Sequence, residues 1–371
     1  MTPRTAIVIG AGFGGLALAV RLQAAGVRTI LLEKRDKPGG RAYVYEDQGY
    51  VFDGGPTVIT DPDCLREVFA SAGADMDRFV ELLPITPFYR LAWEDGATFD
   101  YSNDQAALDA AIASFSPKDV AAYRRFLAYS KELYREGYEK LGAKPFQSFT
   151  DMVRAAPQLA RLQAWRSVYS AVARHIENER LRQVFSFHTL LVGGNPFATS
   201  AIYALIHALE RHGGVWFARG GTGALVDAFV RLFQSLGGEL RLNAPVDEIV
   251  TQDGRVTGVR TGGAFIAADA VASNADVVHT YAKLLGGSDR GRREGARLAG
   301  KRHSMSLFVI YFGLRRIHRQ LAHHTVCFGP RYRELIGEIF AGPRVPDDFS
   351  LYLHAPSVTD ESLAPPGCGS Y

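Results

Sequence analysis

The residues best placed to do chemistry are glycines. Gly10, Gly12 and Gly15 satisfy the spacing G-x-G-x-x-G, with Gly14 beside them. In such a pattern the first glycine permits a tight turn. The second lets backbone N–H groups approach a pyrophosphate, and the third lets a helix pack closely on a strand. The helix N-terminus then faces the anion. Glu33 stands 18 residues beyond Gly15. A carboxylate there can accept both ribose hydroxyls of a dinucleotide and repels a 2′-phosphate. Gly39-Gly40-Arg41 adds a second glycine pair, through which backbone can approach the same ligand from another side. Arg41 can hold a phosphate by charge-assisted hydrogen bonds, or serve only as a solvated loop charge.

These residues need a strand, a turn and a helix to position them. Ala6 to Ile9 is a short apolar, β-branched run that predicts a buried parallel strand. Leu16 to Ala25 has helical apolar spacing, with Gly26 as its cap, and Thr29 to Leu32 predicts a second strand ending at Glu33. Asp61-Pro62 opens a helix that Gly73 closes. Tyr89–Trp93 and Thr98–Tyr101 flank Glu94-Asp95-Gly96 as a hairpin. Residues 104 to 212 read as mostly helical, rich in Tyr, Phe, Leu and Ala. From Gly213 the α/β pattern returns, with short strands at 239–242, 246–252, 255–260 and 268–273. An apolar strand is predicted at Met305–Leu314. The alternation predicts an α/β fold. A Rossmann-like dinucleotide domain (1–75 and 213–285) is interleaved with a mixed helical and sheet domain (76–212 and 286–371).

Composition is that of an ordinary globular chain: 47% hydrophobic and 22% charged over 371 residues. A formal charge of +3 argues against a nucleic-acid partner. The three cysteines, Cys64, Cys327 and Cys368, form no zinc spacing and no disulfide framework, which favours a reducing compartment. No run reaches the ~20 apolar residues of a membrane helix. Thr5–Val20 has the outline of a signal peptide, but its four glycines have the better explanation above.

The second glycine turn carries a resemblance. Glu33 through Gly39-Gly40-Arg41, with the first turn, resembles the FAD fold shared by amine oxidases, GDP-dissociation inhibitors and carotenoid desaturases. Within that group the chain is similar to the bacterial phytoene desaturases. The likeness runs through Phe52-Asp53-Gly54-Gly55-Pro56-Thr57, Leu191 to Phe197, Gly220 to Leu225, Ala272 to Asp276 and Ala322 to Tyr332. Ala218 departs from it, where a proline usually stands. The family closes with a glycine-rich FAD segment that is not found before Tyr371. The resemblance therefore implies a C-terminally incomplete sequence.

What the resemblance implies is an FAD enzyme that moves a hydride from phytoene to flavin, giving lycopene or partly desaturated products. Gly55, Pro56 and Thr57 join the cofactor residues on that basis. So does Val246, where this fold usually has a backbone contact to adenine. The alternatives on the same fold are a flavin amine oxidase and a non-catalytic carrier or fragment. The substrate implies an apolar site, although most aromatic residues of 104–212 are expected to be plain core. It also implies peripheral association with the cytoplasmic face of the membrane, and an electron acceptor such as oxygen or a quinone. Asp151 and Arg154, three apart at a helix start, offer an acid/base pair; the competing reading is a helix cap with a local ion pair. Arg290, Arg292, Arg293, Arg297, Lys301 and Arg302 form a basic cluster, with Arg290, Arg293, Arg297 and Lys301 on one helical face. It is either solvated surface or a lipid contact. No metal site is expected. His323-His324 are neighbours, and neighbours on a strand point to opposite faces.

Overall fold

The computed structural model describes residues 4–145, 148–342 and 346–371. The chain opens with strand β1 (Thr5–Ile9), helix α1 (Phe13–Ala24) and strand β2 (Arg28–Leu32). The two strands pair in parallel, with Ile7 opposite Ile30. Both faces are buried, as unbroken apolar runs in a parallel strand require. Val8 and Leu31 enter one core with Leu16, Ala19 and Val20 of α1. Ile7, Ile9, Ile30 and Leu32 enter a second core on the other face, with Ile249 and Val259. Each such side chain contributes roughly 1.5–3 kcal/mol on burial.

The chain then leaves this sheet. Strands β3 (Tyr89–Trp93) and β4 (Thr98–Tyr101) form the expected hairpin. Helices α2 (Asp119–Tyr134), α3 (Phe149–Arg161) and α4 (Leu205–Gly213) lie in the helical stretch. Tyr123, Phe126 and Leu133 of α2 pack with Leu91, Phe99 and Phe185 in the third core. These aromatic residues are core, in line with the plainer expectation for 104–212.

The chain returns through helix α5 (Gly221–Ser235), whose Leu225 and Phe229 share the core of α1. Next come β5 (Glu239–Arg241), β6 (Val246–Gln252), β7 (Arg255–Thr261), β8 (Ala264–Ala267) and β9 (Ala270–Ser273). β9 and β5 flank the first pair, so the parallel sheet runs β9-β1-β2-β5. β6, β7 and β8 form a separate antiparallel sheet. Beyond helix α6 (Asp289–Ala299), strands β10 (His324–Phe328) and β11 (Leu351–His354) join the hairpin. The order there is β11-β10-β3-β4, with β10 parallel to β3. The two four-stranded sheets are thus each assembled from pieces far apart in sequence, which is the interleaving the alternation predicts.

Three details differ from the sequence reading. Met76 and Val80 belong to the core of the dinucleotide domain, so its first piece runs past residue 75. Of the strand expected at Met305–Leu314 only the last residues pair: Gly313–Leu314 with Gly369–Ser370, and Phe312 with Tyr371 by two backbone hydrogen bonds. Phe308 is 89% exposed and Leu307 75%. An apolar run becomes a strand only where a neighbouring ladder takes its backbone groups. Finally, α6 ends at Ala299, so Lys301 lies beyond the helical face that carries Arg290, Arg293 and Arg297. Among the described residues no helix is long and apolar enough to cross a membrane.

Candidate functional site

The glycine motif sits between the end of β1 and the start of α1. Gly10 has φ +92°, a conformation open to glycine, and its N–H bonds the Leu32 carbonyl at 2.7 Å. Gly12 caps α1 with no side-chain partner, and the first turn holds no acidic residue. The N–H groups of that turn stand at the positive end of the helix, a ready anion site. A Cβ on Gly15 would stand 2.0 Å from the Gly10 carbonyl oxygen, so only glycine lets α1 lie this close to β1. A Cβ on Gly14 would meet the Asn274 side chain at 2.6 Å. Asn274 follows β9, and its N–H bonds Ile9. It borders the crevice, and sequence reasoning did not single it out. Its signal was its place one residue past a strand parallel to β1.

The second glycine turn closes on the first. The Gly39 N–H donates to the Ala11 carbonyl at 2.8 Å, and a Cβ on Gly40 would touch the Gly12 Cα at 3.0 Å. Glu33 is 4% exposed at the end of β2. One carboxylate oxygen accepts from the Ala11 N–H at 2.8 Å and the other from the Arg35 N–H at 3.0 Å. Glu33 thus braces the loop, and each oxygen keeps a lone pair for a ribose hydroxyl. Arg41 is exposed on the rim, while its carbonyl packs against Gly55, where a Cβ would come within 2.0 Å. The Pro56 carbonyl accepts from the Thr222 hydroxyl, and the Thr57 hydroxyl bonds the Tyr352 hydroxyl at 2.7 Å. Asp53 accepts from the Thr222 N–H at the start of α5. Burial pushes its carboxyl above the usual range, against the pull of those hydrogen bonds. Val246 opens β6 close to the end of β2, because Ala244 N–H bonds the Glu33 carbonyl at 2.8 Å. A bulge follows it, between the Val246 and Glu248 pairings, which frees backbone from the ladder.

Asp151 and Arg154 are brought together in α3 with 3.8 Å between their charged atoms. Asp151 closes a capping box, its carboxylate accepting from the Ser148 N–H at 3.0 Å. Arg154 is mostly exposed. Their immediate surroundings are those of a helix cap.

A second polar cluster went unseen in the sequence. Glu210 on α4, fully buried, accepts from the Tyr89 hydroxyl at 2.7 Å. His188 Nε2 lies 3.0 Å from its other oxygen, a charge-pair distance without the alignment of a hydrogen bond. His207, also on α4, bonds the hydroxyls of Tyr101 (2.8 Å) and Tyr123 (3.1 Å). Burial holds His207 well below the usual imidazole range and drives Tyr89 and Tyr101 up.

The histidine pair corrects a sequence expectation. His323 lies just before β10, outside the strict alternation of a strand, and its ring meets that of His324 at 4.4 Å. With His354 they form a cluster of three possible metal ligands.

The first-turn N–H groups, the glycine cradle and Glu33 all suit the pyrophosphate and ribose of FAD. Comparison with known proteins agrees. The family model for flavin containing amine oxidoreductases matches residues 13–367. The lycopene-forming phytoene desaturase of Pseudescherichia vulneris is 65% identical over 98% of this chain and 74% of its own. The neurosporene-forming phytoene desaturase of Rhodobacter capsulatus is 43% identical over 98% of this chain and 70% of its own. An oxidoreductase from Methanosarcina mazei shares the fold with a TM-score of 0.65, covering 99% of this chain and 77% of that one at 17% identity. The chain belongs to the flavin containing amine oxidoreductases and, within them, to the bacterial phytoene desaturases.

Proposed function

We propose that this chain desaturates phytoene, passing hydride to FAD and giving lycopene or partly desaturated intermediates of carotenoid biosynthesis. The observation that carries the reading is the double glycine turn braced by Glu33, in a chain so similar to lycopene-forming desaturases. When bound, FAD supplies the two-electron acceptor. The first turn of α1 holds the pyrophosphate, Glu33 the ribose and the Val246 backbone the adenine, while Gly55, Pro56 and Thr57 border the second glycine turn. Each new double bond costs one carbon a hydride and its neighbour a proton. Asp151, steadied by Arg154, is the proposed proton acceptor. The electrons leave for oxygen or a membrane quinone.

Phytoene is a hydrocarbon and is reached in a bilayer. The chain meets the cytoplasmic face of that membrane peripherally, through Phe149, Met152 and Val153, which α3 exposes. Basic residues of α6 add about 1 kcal/mol each near anionic lipid.

The test is the purified chain loaded with FAD, given phytoene in liposomes under air or with a quinone, beside a panel of amines. Coloured polyenes are expected. Bound flavin with amine turnover and no polyene selects the amine oxidase reading, and absence of a flavin spectrum selects the carrier. Asp151→Asn is expected to slow turnover about 10²–10⁴-fold at unchanged flavin content. A change of only a few-fold leaves Asp151 as a cap.

A further inference from the structure

Three imidazoles meet where β10 and β11 pair. His324 and His354 stand directly opposite in that antiparallel ladder and share one face of the sheet. His323 reaches the same place from just outside β10, its carbonyl held by the Ala355 N–H at 2.9 Å. Ring centroids are 4.9 Å apart for His323 and His354, and 5.5 Å for His324 and His354. One nitrogen from each ring lies within 4.8 Å of the others.

Two of the outer nitrogens have partners. His323 Nδ1 bonds the Thr359 hydroxyl, and His324 Nδ1 bonds the Tyr352 hydroxyl, both at 2.7 Å. The Nε2 atoms of His323 and His354 stand 3.0 Å apart. His324 Nε2 is buried and, among the described residues, has no hydrogen-bond partner. One proton shared between His323 and His354 satisfies that pair and leaves His324 Nε2 bare. A cation at the centre satisfies all three. Neutral imidazole is the form that ligates such an ion. An Nδ1 held by an outer oxygen, with Nε2 turned inward, is how ligating histidines are commonly oriented.

We propose that His323, His324 and His354 bind a divalent transition-metal ion of the Zn²⁺ class. An all-imidazole set suits such ions and not Mg²⁺ or Ca²⁺, which take oxygen ligands. Three protein ligands leave a fourth position for water. Zn–N bonds of about 2.0–2.1 Å put ligand nitrogens roughly 3.3–3.4 Å apart in a tetrahedral site, so the His323 and His354 Nε2 atoms, 3.0 Å apart, need only a small opening, and a ligand nitrogen up to 4.8 Å from another must draw in by at most about 1.5 Å. His354 is the partly exposed member and gives the ion its entry. The bound ion ties β10 to β11 and, through Tyr352, to Thr57. The proposal stands apart from the hydride chemistry, because its readout is metal content.

The experiment is equilibrium dialysis of the chelator-stripped chain against Zn²⁺ with metal analysis, and Co²⁺ as a spectroscopic probe. One equivalent of Zn²⁺ is expected, with a four-coordinate Co²⁺ spectrum. His324→Ala and His354→Ala each remove that equivalent. Thr359→Val keeps the ligands and weakens affinity about 10–100-fold. Should His324→Ala fail to fold, His354→Gln at the exposed edge gives the same readout. Wild-type protein that binds no Zn²⁺, or variants that keep the full equivalent, overturns the proposal.

Discussion

In the glycine crevice the groups set for the pyrophosphate and ribose are backbone N–H groups and one carboxylate, all within residues 10 to 57, and contact between two local turns assembles them. In the helical domain the polar atoms come from β3, β4, α2, α4 and the residue His188, spread over 122 positions between Tyr89 and Glu210. The first region is specified by spacing along the chain. The second is specified only by the fold. Where backbone geometry creates a site, glycine positions record it; where side chains meet across a core, no local pattern does.

The largest test of this contrast is steric. Gly15→Val forces a side chain into a position 2.0 Å from the Gly10 carbonyl. We expect complete loss of bound flavin absorbance, with the chain unfolded or its dinucleotide domain displaced. Flavin retained at wild-type level removes the claim that this crevice is set by glycine spacing.

The next strikes the buried cluster. Glu210→Leu leaves Tyr89 and His188 without their partner and is expected to cost about 3–5 kcal/mol in urea unfolding. Glu210→Leu combined with His188→Leu should regain much of that loss, because an apolar pair replaces a half-broken polar one. If the double variant is as unstable as the sum of both singles, the two residues do not act as a unit.

A pH series sharpens the same comparison. His207 is held neutral in the fold, well below the imidazole range of the unfolded chain. The unfolded state therefore binds more protons below about pH 6.5, and stability is present above that pH and falls as the pH drops. His207→Gln should flatten the slope of stability against pH in the acid range. An unchanged slope places the acid sensitivity in other groups.

The smallest effect belongs to Val246. Its proposed cofactor contact is through the backbone, so Val246→Ala should leave FAD affinity within about two-fold and cost near 1 kcal/mol of stability from lost packing. A large loss of FAD affinity makes the side chain itself the contact.

Much of the dinucleotide domain was legible because local and global signals agree there. The run Ala6 to Ile9, the glycines and Glu33 each fit one structure. The hairpin Tyr89–Trp93 and Thr98–Tyr101 was legible to the residue, since Glu94-Asp95-Gly96 sets its register. Met305–Leu314 misled because an apolar run reports burial or pairing only once a partner strand exists, and among the described residues none pairs with 305–311. His323 and His324 misled because alternation holds inside a strand and lapses at its first residue. His354, 30 positions further on, has no local mark of joining them. Glu210 and His207 carry no local mark of their role, since their tyrosine partners lie in other elements.

The order of strands in the parallel sheet also bears on how the protein is made. Ile7 pairs with Val271, 264 residues later. At synthesis rates of about 5–20 residues per second, β1 waits roughly 15–50 seconds on the ribosome for that edge of its sheet. Through that interval Ala6 to Ile9 is paired only with β2, and the native neighbour on its other edge does not yet exist, while the helices between residues 104 and 212 are already made. The pyrophosphate crevice, bordered by Asn274, is therefore finished late in translation, and chaperone dependence of soluble yield should follow the first strand more than the helical core.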